Sequence, residues 1–387
     1  MKSVLLCVLL AAVTATAVAQ GTPFELGGYV KYLLDRSSLP GMTPTIDQLL
    51  HARLNARWFP GAGVSAGAEF RARAYEGGLV GDTPDFLSTV RSEREFARLD
   101  ATLWQTRQSL GYGEVDRLWA DWAGGPWEAT LGRQRVAWGT ALVWNPTDLF
   151  NPFSVLDFDY EERPAVDGLR LQYFTGEVSK AEAVIKPGRS PTSAAAAVAY
   201  TTDVGAYDVH LLWGRRAGCW LTGGSWAGEI AGGGFRGEFL VSQRAILQGS
   251  PAALSGGTGG VMATGVLSGD YTFPDSWYVH IESLYNSAGA GSQAAAFQDR
   301  AHALGLLSPA RWTLWGEVAR DVSPLVRASV FVVYDPDDGS KVYGPSVSWS
   351  AAKNLDVLAI ALIATGDPET AFGPYGSTVF GRLKWSF

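Results

Sequence analysis

Segment after segment of this chain alternates in hydrophobicity with period two, and that pattern predicts an all-β fold. The expected form is a single antiparallel up-and-down transmembrane β-barrel of about eighteen strands. Two further observations support it. Charged residues are only 18% of the chain, which also holds 15 Trp, 14 Tyr and 17 Phe. That balance suits a surface facing lipid better than one facing water. The other observation is the stretch Val379 to Phe387, which reads as an aromatic strand. Val379, Leu383, Trp385 and Phe387 share one face with Gly381, while Phe380, Arg382, Lys384 and Ser386 share the other.

The first element is a leader. Met1-Lys2 is a short basic start, Val4 to Val13 is apolar, and Ala17-Val18-Ala19 is a small-residue cleavage site. This predicts a signal peptide over 1–19, cleaved near Ala19, and a single barrel domain over 20–387. Cys7 would leave with the leader, so Cys219 has no intrachain disulfide partner. No later stretch approaches the roughly 18–20 continuous apolar residues of a spanning helix. The formal charge of −7, with no basic block, argues against nucleic acid as a partner.

The strands follow in order. Leu50, Ala52, Leu54, Ala56 and Trp58 alternate with His51, Arg53, Asn55 and Arg57. After the turn Pro60-Gly61-Ala62-Gly63, Val64 to Ala74 alternates with Glu69, Arg71 and Arg73. The reading recurs at Tyr207–Trp213, Phe235–Val241, Trp277–Tyr285, Val326–Tyr334 and Pro345–Ser350. Candidate strands near 179–187, 193–202 and 218–230 are weakly marked, so sixteen strands is the alternative. Short connectors alternate with long ones at 36–45, 76–112, 137–164, 245–258, 288–310 and 366–375. Short periplasmic turns and long extracellular loops have this asymmetry.

Two stretches carry a family resemblance. Val379 to Phe387 resembles the closing strand of bacterial outer-membrane barrels, whose terminal aromatic is read by the barrel-assembly machinery. Gly132-Arg133-Gln134, Trp138-Gly139 and the Asn-Pro-rich run Trp144 to Phe153 resemble porin-like barrels of the alginate-export type. The resemblance implies a location in the cell outer membrane, contact with its lipid, and recognition of Phe387 during assembly. It implies a channel for passive diffusion of small hydrophilic solutes, without a cofactor, as a monomer or a homo-oligomer. It also implies that a loop at about 137–164 folds into the barrel and narrows it.

The inward phase supplies the candidate site. A basic wall is expected from Arg53, Arg57, Arg71, Arg73, Arg117 and Arg170, with Arg236, Arg382 and Lys384 further on. Glu69, Asp121, Glu238, Glu282 and Glu317 are the expected acidic lining. In and beside the constriction loop stand Arg133, Arg135 and Asp148, then Asp157, Asp159, Glu161, Glu162 and Arg163. Arg133 and Arg135 do not fit the face of Leu131, and a bulge would redirect them. Two readings of the arginines stay open. They form a ladder favouring anions or carbohydrates, or they pair with the acids and simply pack the lumen. A plugged structural or adhesive barrel is the matching alternative for the whole chain.

Catalysis and metal binding find no pattern. The histidines are His51, His210, His280 and His302, without His-x-x-x-His or cysteine-pair spacing. Gly223-Gly224-Ser225-Trp226-Ala227 lacks the final glycine of a nucleophile elbow. Asp335-Pro336-Asp337-Asp338-Gly339 resembles part of a calcium loop without its distal Glu, and reads as a surface turn.

Overall fold

The computed structural model describes residues 23–91, 96–150, 165–190, 193–243, 260–299, 301 and 305–387. The leader over 1–19 and the loop residues Asp157, Asp159, Glu161, Glu162 and Arg163 lie outside the described residues. So does His302.

Among the described residues, nineteen strands form one sheet. The first run is β1 (Phe24–Ser38), β2 (Thr45–Gly61), β3 (Val64–Gly77), β4 (Asp100–Gln105), β5 (Ser109–Gly124) and β6 (Trp127–Gln134). Next come β7 (Val166–Phe174), β8 (Lys180–Lys186), β9 (Ala195–Val204), β10 (Tyr207–Arg216), β11 (Cys219–Ile230) and β12 (Gly233–Gln243). The last are β13 (Val261–Thr272), β14 (Trp277–Asn286), β15 (Trp312–Ser323), β16 (Val326–Tyr334), β17 (Lys341–Ala352), β18 (Leu355–Thr365) and β19 (Ser377–Ser386). β3 pairs directly with β5, and β4 only lies along the loop end of β5. The wall is therefore an eighteen-strand antiparallel barrel with one accessory strand. The weakly marked strands, now β8, β9 and β11, are all present.

The barrel closes between its first and last strands, from Tyr29 opposite Ser386 to Ser38 opposite Ser377. Phe387 extends the ladder by exchanging two 3.0 Å backbone hydrogen bonds with Gly28. Gly28 is needed here, because a Cβ would stand 2.2 Å from the Arg53 carbonyl oxygen on β2 and 2.8 Å from the Phe387 ring on the seam side.

Alternation sorts the side chains, and polarity is inverted relative to a soluble sheet. On β14, His280 and Glu282 point inward at 2% and 0% exposure, while Ile281 between them is 64% exposed on the outside. Leu54, Phe70, Leu131, Leu211, Phe239, Leu267, Val347 and Leu383 are likewise exposed outward. Aromatic pairs sit near both ends of the wall. Trp127 meets Tyr173 at 4.6 Å at the turn end, and Trp213 stacks on Trp220 at 4.8 Å at the loop end. The β10–β11 connection departs from the long-loop pattern. It is a two-residue turn, Ala217-Gly218, with both residues at positive φ, as a tight hairpin requires.

Wall height is uneven. β2, β3 and β5 run 17, 14 and 16 residues, whereas β6, β7 and β8 run 8, 9 and 7. β6 stops early because the chain turns into the lumen after Gln134. β4 takes the place of its missing upper half beside β5. Arg133 and Asp167 fasten the start of this strand. Their side chains pair at 2.8 Å, and they bond the Ala97 carbonyl and N–H respectively. Arg133 thus lies in β6 as a wall fastener, outside the loop to which its sequence context assigns it. Gly132 beside it sits at φ +119°, and this left-handed step lets Arg133 depart from the face set by Leu131.

Candidate functional site

Val136 to Phe150 runs through the lumen, and carboxylates on the opposite wall hold it. Glu238 on β12 accepts the Thr140 and Ala141 N–H groups at 2.6 and 2.7 Å through Oε1. The Asn145 amide reaches the same oxygen at 3.0 Å. Its Oε2 accepts the Thr147 N–H at 3.1 Å and hydroxyl at 2.6 Å. Glu282 on β14 accepts the N–H groups of Leu142, Val143 and Trp144, the last at 2.7 Å. Asp148 folds the segment on itself, accepting the Trp138 and Gly139 N–H groups at 2.6 and 2.7 Å. A carboxylate is acceptor-only, so it suits a turn whose N–H groups converge.

The segment is also set in apolar contacts. Trp138, Leu149 and Phe150 pack on Val184, Leu212, Leu221 and Leu240 from the inner faces of β8, β10, β11 and β12. Trp144 packs with Val266, Leu284, Trp315 and Val333, joined by Ala294, Ala310, Ala371 and Phe372 from two other loops. The Trp138 indole N–H donates to Glu182 at 2.6 Å, and Arg170 pairs with the same carboxylate at 2.9 Å.

The opposite side carries the charged wall. Arg53 on β2 is fully buried and pairs with Glu69 and, at 2.7 Å, with Asp116. Arg71 and Arg73 on β3 share Glu114 at 2.8 and 2.9 Å. Arg117 stands 3.6 Å from Glu69. Four arginines thus meet three carboxylates. The alternative of mutual pairing describes this cluster better than an open basic ladder.

Glu114 and Asp116 were not foreseeable from alternation. Arg117 and Asp121 set the inward phase of β5 to odd positions. A bulge lies between the pairs Glu69–Arg117 and Phe70–Val115. It inserts Asp116 and flips the upper strand, so that Tyr112 and Glu114 also face in. Lys31, absent from the candidates, also faces the lumen. It is fully buried, with Lys384 opposite it on β19 and His51 opposite on β2, and Arg73 lies opposite His51. Lys31 and Lys384 both approach the Tyr29 ring, at 5.2 and 4.8 Å.

The remaining candidates scatter. Asp121 accepts the Thr130 hydroxyl at 2.6 Å. Arg236 pairs with Asp270 on β13. Glu317 is half-buried on the inner face of β15, opposite His280. Arg382 and Lys384 line a cavity of about 280 Å³ at the turn end, with Asp321, Arg327 and Asp356. Arg57 is exposed at that end, and Arg135 is exposed where the loop leaves the wall. Glu238 and Glu282, expected in the acidic lining, lie under the segment at 1% and 0% exposure. Phase tells which face a residue takes, but not what sits on that face. Among the described residues, no group of three His, Cys, Asp or Glu is placed to hold a metal ion.

No protein-family model and no curated protein matches this chain. Among solved structures, the fold is similar to OccAB2 of Acinetobacter baumannii, at 12% identity and TM-score 0.57 over 95% of this chain and 99% of that one. It is similar to OccAB1 of the same organism, at 12% identity and TM-score 0.56 over 94% and 95%. The outer membrane protein OprD from Pseudomonas aeruginosa is similar at 11% identity and TM-score 0.55, over 96% of each chain. At these identities the likeness is one of fold.

Proposed function

We propose that this protein is a channel of the bacterial outer membrane through which small hydrophilic solutes diffuse passively, without catalysis. One observation carries the reading. The barrel is apolar outside, and inside it the turn-end half of the lumen keeps polar and charged walls open to solvent below the crossing segment. Inner-face residues under the segment, such as Val184, Leu221, Glu238 and Leu284, are buried, whereas toward the turn end Asn55, Arg57, Asp121, Ser348, Ser350, Arg382 and Lys384 keep access to solvent. The passage would run through that turn-end half, with the segment as its constriction. An apolar exterior of this kind belongs in lipid. A leader cleaved near Ala19 and recognition of Phe387 by the assembly machinery fit the same location.

In the accessible half, Arg57, Arg382 and Lys384 supply positive charge to the lining, whereas Lys31, Arg53 and Arg71 are buried above it. This supports a modest preference for anions over cations. Carbohydrate preference has no comparable support.

The test is conductance of the purified, folded protein in a planar lipid bilayer. Discrete steps are expected, with a reversal potential in a salt gradient on the anion-selective side. Folded protein that never conducts would refute the channel. The second reading, a plugged barrel with a structural or adhesive role, is favoured by the two apolar clusters inside the lumen, and would then stand.

A further inference from the structure

We infer that Glu238 and Glu282 are positioning residues, which set the upper size of solute that passes by fixing the backbone of the crossing segment. The inference rests on the channel reading for its second half only.

Apolar packing alone does not fix this backbone. Trp138 and Trp144 seat the segment in separate clusters, and such contacts are non-directional. Between them the N–H groups of residues 140 to 144 point at the wall and need acceptors. β12 and β14 supply one carboxylate each, with β13 between. At the usual strand spacing the two anchors stand roughly 10 Å apart. Two anchors at that separation fix both the position and the direction of the turn. Glutamine does not substitute well: its amide has one acceptor oxygen, and its NH2 would face N–H donors. On the same wall, His280 stands 3.4 Å from Glu282 and 3.1 Å from the Ser268 hydroxyl.

The experiment compares the full-length folded protein with E238Q, E282Q and the double variant. The direct readout is amide hydrogen exchange. Exchange over residues 138–148 is expected to accelerate by at least about tenfold in the double variant, with the strands unchanged. T147V, which removes one donor from the segment side, should act in the same direction but less. E238D should recover part of the protection. In bilayers, the largest polymer able to enter and reduce conductance should increase in size. Unchanged exchange in the double variant overturns the anchoring, as does equal acceleration throughout the strands. Accelerated exchange with an unchanged polymer cut-off overturns the link to passage. If the wild-type protein never conducts, the channel reading falls and exchange alone decides the anchoring.

Discussion

Replacing Arg53 with methionine should destabilise the barrel far more than the same change at Arg57, although both residues lie on the inner face of β2. The Arg53 side chain is fully buried, pairs with Glu69 and Asp116, and donates from Nε to Asn55 at 3.0 Å. Methionine fills the volume but leaves two buried carboxylates without their shared cation. Removing one partner of a buried pair costs about 3–5 kcal/mol. Two neighbours soften the loss: Arg71 stands 3.5 Å from Asp116, and Arg117 stands 3.6 Å from Glu69. The lower end, about 3 kcal/mol, is therefore expected, on the order of a hundredfold in the folding equilibrium. Arg57 is exposed at the turn end, and its replacement should change stability by less than about 0.5 kcal/mol. Denaturant unfolding from lipid vesicles, followed by tryptophan fluorescence, measures both. Neutralising the acids as well, in Arg53→Met with Glu69→Gln and Asp116→Asn, should recover most of the loss. Equal effects at the two arginines, or no recovery in the triple variant, would refute the pairing argument.

Two further outcomes follow from local geometry. Gly28→Ala brings a Cβ against the Arg53 carbonyl oxygen, so β1 must shift from β2 at a cost of about 1–3 kcal/mol; a midpoint equal to wild type in the same unfolding assay would contradict this. In the loop after β16, burial first and then the charges of Asp338 and Asp337 push the Asp335 carboxyl up to about 6, against the pull of the Asp337 N–H. The folded loop therefore favours protonated Asp335, and that stabilisation fades as pH rises through about 6. Limited proteolysis of this loop should be faster near pH 7 than near pH 5, and Asp335→Asn should flatten the difference. A wild-type profile already flat across that range would be the contrary result.

Strands were legible in the sequence because each had to place unlike residues on its two faces, and period two survives even in Ala195 to Val204, where the residues are small. The bulge at Asp116 was not legible. Nothing in Glu114-Val115-Asp116-Arg117 distinguishes an inserted residue from a regular one until the partner strand fixes register. For the same reason the arginines could be placed on the inner face while their neutralisation could not be read. β4 was lost inside a long connector because Asp100 to Gln105 has a partner only where β6 has already left the wall. The covering of Glu238 and Glu282 depends on contacts some ninety to a hundred and forty residues away in sequence, beyond the reach of any local pattern.

The pairing of β1 with β19 also bears on the route of assembly. Nearly every other wall contact joins strands that neighbour each other in sequence, so the sheet can grow hairpin by hairpin at small entropic cost. The last seam differs, because it joins Tyr29 to Ser386 across the whole sheet. Formed without the intervening hairpins, that contact would close a loop costing roughly 5 kcal/mol in chain entropy. Formed after them, it is nearly local. Closure should therefore come late, and until then β1 and β19 are open edges able to pair with other chains. A change at this seam would then show itself first as aggregation during assembly, ahead of any loss of stability in barrels that have already closed.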